Sequence, residues 1–264
     1  MAELERLYQY CGYANYTEQF LRFPPLAAQP PEYFNFTSQA KCDVFDLIDA
    51  AAFDLNPCFD VYAINQMCPI LWDVLGFPTQ LFYTPDGAQV YFNRTDVKTA
   101  MHAPQYVDWV ECALKPVFIG GNGTGGPQGE GDLSADPIQH VLPQVIEATN
   151  RVLISNGDYD MIILTNGTLM AIQNMTWHGK MGFQTQPSTP LIITSPDLQY
   201  QAVFAEPDNG AAGLDGPQGI MGITHFERGL MWAETFQAGH MQPEFQPRVT
   251  YKYMQWVLGR INTL

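Results

Sequence analysis

Two residues whose side chains suit proton transfer lie in turns, each soon after a predicted strand. Asp160 follows a β-branched run at 152–155 and the turn Asn-Gly-Asp-Tyr, and His240 follows a run at about 230–236 and the pair Ala-Gly. An imidazole takes a proton from a nucleophile, while a carboxylate holds the imidazole tautomer and stabilises the imidazolium that forms. A loop histidine is more often a surface or capping residue, so the neighbouring segments decide whether this pair predicts acid–base chemistry.

The second half of the chain alternates between helix and strand patterns, and these elements must position the pair. The predicted helix at about 136–151 begins with Asp136 as N-cap and Pro137 at its first position. Further helices are predicted near 167–174 and 247–260, with strands at 152–155, 198–205 and 230–236. This alternation predicts an α/β fold with a mostly parallel sheet covered on both faces, and ligands bind at the carboxyl ends of such strands.

The first 80 residues have a different character, since they are rich in proline and aromatic residues and contain four of the five cysteines. Only short helical patterns occur there, for example at 44–53, so a disulfide-stapled cap or insertion segment is predicted instead of a core layer. An alternating pattern at 81–92 around Asp86-Gly87 predicts a β-hairpin, followed by a short helix at about 95–102. The glycine-rich stretch at 120–131 predicts a loop or linker.

Composition excludes several classes of function. The formal net charge is −15, from 27 acidic and 12 basic residues, and it repels nucleic acid and other polyanions. No apolar run approaches the roughly 18 residues that a membrane span requires, so no membrane partner is expected. The remaining histidines lack the spacing of a zinc site, and neither metal nor cofactor is expected at His102, His140, His178 and His225.

Six Asn-x-Thr sequons indicate a glycosylated surface, because this composition predicts about one by chance. They begin at Asn15, Asn35, Asn93, Asn122, Asn166 and Asn174. Five scattered cysteines without Cys-x-x-Cys spacing indicate disulfides, and their odd number leaves one without a partner. The sequence from Met1 shows no secretory signal pattern, so we expect the chain to be a fragment whose N-terminal part is absent.

Three ordered segments resemble the serine carboxypeptidase family, which includes carboxypeptidase Y and cathepsin A. The first is Val-Leu-Ile-Ser-Asn-Gly-Asp-Tyr-Asp at 152–160, and the second is the helix and loop at 167–179. The third, Ala-Gly-His-Met-Gln-Pro-Glu-Phe-Gln-Pro at 238–247, is similar to the family's Gly-His-Met-x-Pro motif with a downstream Gln-Pro. The similarity is closest to secreted fungal members. It implies the C-terminal part of an α/β-hydrolase fold, with residues 1–80 as the cap and 81–264 in the catalytic domain.

The resemblance also implies roles for individual residues. Asp160 matches the acid of a Ser-Asp-His triad and His240 matches its base. Asp158 is then structural, and Met241 matches a residue that lines the pocket for the leaving C-terminal residue. The family's serine lies in a Gly-x-Ser-x-Gly elbow that this sequence lacks, and Ser155, the nearest approach, is structural. The segment between Cys58 and Cys68 resembles a family loop closed by a disulfide, and Cys11 with Cys42 is expected to bracket the rest of the cap. The resemblance then leaves Cys112 with a partner in the missing half, and the alternatives for Cys112 are a buried structural thiol and a catalytic thiol.

We therefore expect the C-terminal fragment of a serine-type carboxypeptidase, which hydrolyses the C-terminal peptide bond of peptides and proteins. The absent N-terminal half, in the same parent chain or a partner chain, is expected to supply the serine, so this chain alone is expected to be inactive. The resemblance implies an extracellular or vacuolar location. Two alternatives stay open, a non-catalytic binding module and an esterase. A binding module gives no reason for an intact acid and base, and an esterase does not explain the motif around His240.

Overall fold

The structure is a computed structural model that describes residues 2–30, 42, 44–69, 86–110, 135–194 and 218–264. Its helices are α1 (Ala2–Tyr10), α2 (Tyr13–Phe20), α3 (Val44–Leu55), α4 (Thr95–Ala100), α5 (Val141–Thr149), α6 (Thr165–Gln173), α7 (Gln242–Phe245) and α8 (Pro247–Val257). Its strands are β1 (Val152–Gly157), β2 (Thr176–Trp177), β3 (Lys180–Met181), β4 (Thr189–Ile193), β5 (Gly219–Glu227) and β6 (Leu230–Thr235). None of the helices in these ranges is long and apolar enough to cross a membrane.

The chain divides into two compact units. The first contains Met1–Leu55, Val61–Asn65 and Asp136–Leu264, and the second contains Asn56–Asp60 and Gln66–Ala135. These boundaries differ from the predicted division at residue 80, because α1, α2 and α3 group with the part of the chain that forms the sheets. The role of residues 1–80 as a cap therefore stays a prediction.

A four-stranded sheet in the first unit has the strand order β1-β6-β5-β4. Strand β1 runs parallel to β6, whereas β6 with β5 and β5 with β4 are antiparallel. The prediction of a mostly parallel sheet was wrong for these strands. The antiparallel pairs involve β4 and β5, neither of which was predicted as a strand; glycines interrupt the apolar run of β5.

A tight turn joins β5 to β6 and explains why these strands are antiparallel. Arg228 and Gly229 both have positive φ, 52° and 84°. Positive φ at both central residues is the geometry of the two-residue hairpin turns whose twist matches that of the strands. The dipeptide Arg-Gly is not one of the common signals for such a turn, so local sequence patterns missed it.

The core lies on both faces of the sheet, and β6 contributes to each. Trp232 packs into a cluster with side chains of α5 and α6, and its neighbour Ala233 packs into a second cluster with side chains of α8. This alternation follows from the period of two residues along a strand. The expected covering of the sheet on both faces is confirmed.

Several elements depart from their predicted bounds. Helix α5 begins at Val141 and not at 136, because the Asp136 carboxylate caps a preceding turn by accepting the Ile138 N–H at 3.0 Å. The predicted hairpin is wrong over its described part, where Tyr91–Asn93 forms a 3-10 turn. The side-chain amide of Asn93 bonds both the N–H and the carbonyl of Trp109, at 2.6 and 3.0 Å, so the side chain and not the backbone makes these bonds. The predicted strand at 198–205 lies outside the described residues.

Candidate active site

Parallel pairing brings the two candidate residues to one edge of the sheet. The register of β1 and β6 places Val152 opposite Leu230 and Gly157 opposite Thr235. Both strands therefore end at the same level, and the turns that carry Asp160 and His240 follow from that edge. Because the two strands are paired to the same level, the turns of the acid and of the base both start from one edge of the sheet.

The turn that carries Asp160, which we call the acid turn, orients the Asp160 carboxylate with backbone groups. Its Oδ1 accepts the N–H groups of Ile162 and Ile163 at 2.8 and 3.0 Å. Asp160 is only 6% exposed, so these two bonds supply most of the solvation that water would otherwise give. The second carboxylate oxygen, Oδ2, then faces the turn that carries His240, which we call the base turn.

His240 completes the pair from the other turn. Its Nδ1 lies 2.8 Å from Asp160 Oδ2, and its side chain is 40% exposed, against 4% for the Asp160 side chain. In the tautomer of the neutral imidazole that donates from Nδ1 to this carboxylate oxygen, the lone pair is on Nε2. Among the described residues, none forms a hydrogen bond with Nε2. This nitrogen is therefore in a state to accept a proton from a nucleophile.

Two glycines allow the turns to approach so closely. A Cβ on Gly157 would lie 2.2 Å from the carbonyl oxygen of Ala238, and a Cβ on Gly239 would lie 2.2 Å from that of Tyr62. Neither position has room for a side chain, because the obstructing atoms belong to backbone. The glycines in the Asn-Gly-Asp and Gly-His-Met segments thus serve the packing of the two turns.

Asp158 joins the two turns without belonging to the reactive pair. Its Oδ1 accepts the N–H of Ala238 at 3.2 Å, and the neighbouring Tyr159 N–H donates to the Ala238 carbonyl at 2.9 Å. Burial raises the pKa of Asp158 above its ordinary value, although hydrogen bonds from backbone N–H groups partly oppose this. These contacts agree with a structural role.

A third segment at the site was missed by sequence analysis. Residues 61–64 lie against both turns, and the ring of Tyr62 packs on the His240 imidazole with 5.2 Å between ring centroids. The sequence Val-Tyr-Ala-Ile at this position has no catalytic motif and no clear period. Only its contacts with residues far away in sequence reveal it.

The other predicted site residues have these places. Met241 is half-buried directly before α7, and its substrate-binding role stays a prediction. Ser155 lies inside β1 opposite Ala233, within the strand and not at its end. The structure contains the expected disulfides Cys11–Cys42 and Cys58–Cys68. Cys112 lies outside the described residues.

The four described sequon asparagines differ in exposure. Asn15 and Asn166 are exposed, whereas Asn93 and Asn174 are half-buried. The Asn174 side-chain oxygen accepts the Gln29 N–H at 2.8 Å. Asn35 and Asn122 lie outside the described ranges. Within those ranges, no group of three or more His, Cys, Asp or Glu side chains is placed to hold a metal ion.

The chain is similar in sequence to serine carboxypeptidases. A model of the serine carboxypeptidase family matches residues 9–260. Serine-type carboxypeptidase F of Aspergillus niger is 61% identical over 100% of this chain, which covers 48% of that protein. A probable serine carboxypeptidase of Arthroderma benhamiae is 39% identical over 96% of this chain and 44% of its own length.

A solved structure shows the same fold. The crystal structure of KEX1(delta)p, a prohormone-processing carboxypeptidase from Saccharomyces cerevisiae, superposes with a TM-score of 0.52 at 19% identity, over 98% of this chain and 52% of that one. The likeness supports the expected α/β-hydrolase fold. The chain spans about half the length of each of these three relatives.

Proposed function

The chain belongs to the serine carboxypeptidase family, and from this premise we propose that it supplies the acid and base of a triad that removes C-terminal residues from peptides. One observation carries the proposal: the hydrogen bond from His240 Nδ1 to Asp160 Oδ2 at 2.8 Å. The carboxylate is buried and the imidazole is partly exposed, so the pair is open to a reactant on the histidine side only. A purely binding module has no need for this arrangement.

Each step of the proposed reaction uses Nε2 of His240. As a serine hydroxyl attacks the peptide carbonyl, Nε2 takes its proton, and Asp160 stabilises the imidazolium. The imidazolium then gives this proton to the leaving amino group, so the C-terminal residue departs and an acyl-serine remains. In the second half-reaction Nε2 takes a proton from the water that attacks the acyl-serine, and the imidazolium then returns this proton to the departing serine oxygen, which restores the serine and releases the shortened peptide.

The nucleophile in this proposal comes from outside these 264 residues. No Gly-x-Ser-x-Gly elbow occurs in the sequence, and Ser155 lies inside β1, away from the turns that follow the strand. We propose that the remaining half of the parent protein, in the same chain or in a partner chain, supplies the serine and the oxyanion hole. Met241, adjacent to His240 in sequence, is proposed to line the pocket for the leaving residue.

A chimaera tests this proposal. The 264 residues of this chain replace the matching part of the Aspergillus niger relative, and release of an amino acid from a blocked dipeptide is measured. We expect turnover that phenylmethylsulfonyl fluoride abolishes, and no turnover by the 264-residue chain alone, because the nucleophile is then absent. Turnover by the chain alone that the same inhibitor abolishes would show that it contains its own nucleophile. A chimaera that hydrolyses simple esters but does not hydrolyse a blocked dipeptide would favour the esterase alternative.

We also propose that the parent protein is a glycoprotein of an extracellular or vacuolar compartment. The six sequons and the two disulfides support this proposal, because disulfides persist in oxidising compartments. Among the described sequons, Asn15 and Asn166 are the best placed to accept a glycan, because both are exposed. The Asn93 amide nitrogen, by contrast, donates to the Trp109 carbonyl at 3.0 Å. Peptide mapping before and after enzymatic deglycosylation tests this: glycans are expected at Asn15 and Asn166, and an unmodified Asn15 and Asn166 would contradict it.

A further inference from the structure

Residues 61–64, which we call the strap, bond both turns of the candidate active site. The Met161 N–H donates to the Val61 carbonyl at 2.9 Å, and the Ile64 N–H donates to the Tyr159 carbonyl at 3.0 Å. These bonds hold the strap to the acid turn on either side of Asp160. A further bond, from the His240 N–H to the Tyr62 carbonyl at 2.8 Å, holds the same strap to the base turn.

The packing leaves the strap almost no freedom against the base turn. Ala63 is 1% exposed, and a Cβ on Gly239 would lie 3.0 Å from the Ala63 Cβ as well as against the Tyr62 carbonyl. Close packing of this kind transmits a displacement of one partner to the other. The strap therefore fixes the distance between the acid turn and the base turn.

The Tyr62 side chain adds a restraint that the backbone bonds do not supply. Asp160 holds the imidazole of His240 only at Nδ1, and a single hydrogen bond leaves the tilt of the ring undetermined. The Tyr62 ring lies 5.2 Å from the imidazole, centroid to centroid, at an interplanar angle of 59°. Tilted ring pairs at this separation are favourable contacts, and this one covers one side of the imidazole.

We infer that Tyr62 is a positioning residue for His240. Its carbonyl holds the backbone of His240, and its ring holds the imidazole plane, so that Nδ1 stays on Asp160 and Nε2 keeps one direction. The consequence for catalysis rests on the proposed function, whereas the orientation of the imidazole is a property of this chain.

Nuclear magnetic resonance of the 264-residue chain with ¹⁵N-labelled histidine tests the orientation directly. In the unaltered chain the His240 Nδ1 proton is expected to be visible and protected from water. Tyr62→Ala is expected to broaden this signal beyond detection and to move the tautomers towards an even mixture. Tyr62→Phe keeps the ring and is expected to keep the signal. The matched control is Tyr106→Ala, which truncates a tyrosine that is 89% exposed.

Activity in the chimaera supplies the second readout. Tyr62→Ala is expected to lower kcat about tenfold or more at nearly unchanged KM, because a misplaced base weakens only the transition state. Should Tyr62→Ala fail to fold in thermal denaturation, Tyr62→Leu keeps most of the volume without the aromatic ring. The inference is overturned if the His240 signal is unchanged by loss of the ring, or if Tyr62→Phe loses it equally. An inactive chimaera whose His240 signal still responds to Tyr62 would reject the proposed function and retain the positioning role.

Discussion

Two histidine–carboxylate pairs lie in the same compact unit, one near each end of strand β6. Beyond its end, His240 Nδ1 lies 2.8 Å from Asp160 Oδ2, and before its start, His225 Nε2 lies 3.2 Å from Glu227 Oε2. Both distances are those of a hydrogen bond. The distance between the partners therefore does not distinguish a reactive pair from a structural one.

Exposure and the other partners of each carboxylate make the difference. The His225 side chain is 12% exposed and the Phe183 ring packs on it at 4.6 Å between centroids, whereas the His240 side chain is 40% exposed. Glu227 also accepts bonds from Arg228 at 3.0 Å and from the Gln184 N–H at 2.9 Å. Little of the His225 ring is therefore left exposed to a reactant.

Arg228 shows what the enclosed pair does instead. Its Nη1 donates to the carbonyls of Trp177 and Lys180, both at 3.0 Å, and its Nη2 donates to the carbonyl of Gly182. The guanidinium also lies 4.1 Å from the centroid of the Trp177 ring, within range of a cation–π interaction. Arg228 thus ties the β2–β3 hairpin to the β5–β6 turn, with Glu227 as its counter-ion.

The largest expected effect separates the two histidines by activity. In the chimaera, His240→Gln is expected to lower kcat/KM by about a thousandfold or more, because it removes the general base. His225→Gln, the matched change at the enclosed pair, is expected to alter kcat/KM by about threefold at most. Hydrolysis of a blocked dipeptide measures both. If His225→Gln folds and still lowers kcat/KM by a large factor, the assignment of His225 to a structural pair is wrong.

Loss of Arg228 is expected to act on stability. Arg228→Ala removes the hydrogen bonds to three carbonyls and leaves Glu227 without its cation, which we expect to cost about 2–4 kcal/mol in the free energy of unfolding. Arg228→Lys keeps the charge and the backbone strain of a non-glycine residue but loses the planar fork, so an intermediate loss is expected. Urea denaturation of the chain measures the series. Equal stability of all three proteins would contradict the network.

The smallest expected effects are opposite dependences of stability on pH. Burial acts to raise the pKa of Glu227, but hydrogen bonds from Gln184 and His225 and the charge of Arg228 outweigh it, and the pKa is lowered from 4.5. The folded state then binds its proton less tightly than the unfolded state. Its contribution to stability is complete above pH 4.5 and is lost as pH falls through the folded-state pKa. Glu227→Gln should remove at most about 1 kcal/mol of this dependence after screening by solvent.

Asp158 in the acid turn has the reverse sign. Burial raises its pKa above 3.8, so the folded state binds the proton more tightly than the unfolded state. Its charged form costs stability above the folded-state pKa, and this cost disappears as pH falls below 3.8. Asp158→Asn should therefore gain stability at neutral pH relative to acid pH, by at most about 1 kcal/mol. Thermal unfolding of both variants across this pH range checks the signs; parallel curves for the two would refute the assignment.

Sequence patterns were sufficient for the elements that carry the reactive pair. The β-branched run of β1 and the apolar run of β6 predicted strands within one or two residues of the observed bounds, and α3, α4 and α6 were predicted with similar accuracy, whereas α8 begins as predicted but ends earlier, at Val257. Local propensity and turn residues determine such elements, because their hydrogen bonds and side-chain periods lie within a short stretch of chain. The position of Asp160 and of His240 just after a strand was therefore already predictable from the residues alone.

Tertiary structure alone decided the rest. The strap at 61–64 contacts turns about 100 and 180 residues further along the chain, and no local period encodes a partner at that separation. Nor does a local pattern tell His225, enclosed by Phe183 and Glu227, from the exposed His240. His225 lies within an apolar strand and His240 follows one, and a carboxylate lies within hydrogen-bonding distance of each imidazole. Only the packing of distant segments determines which ring nitrogen stays open to a reactant, because exposure is a property of the folded chain and not of its sequence neighbours.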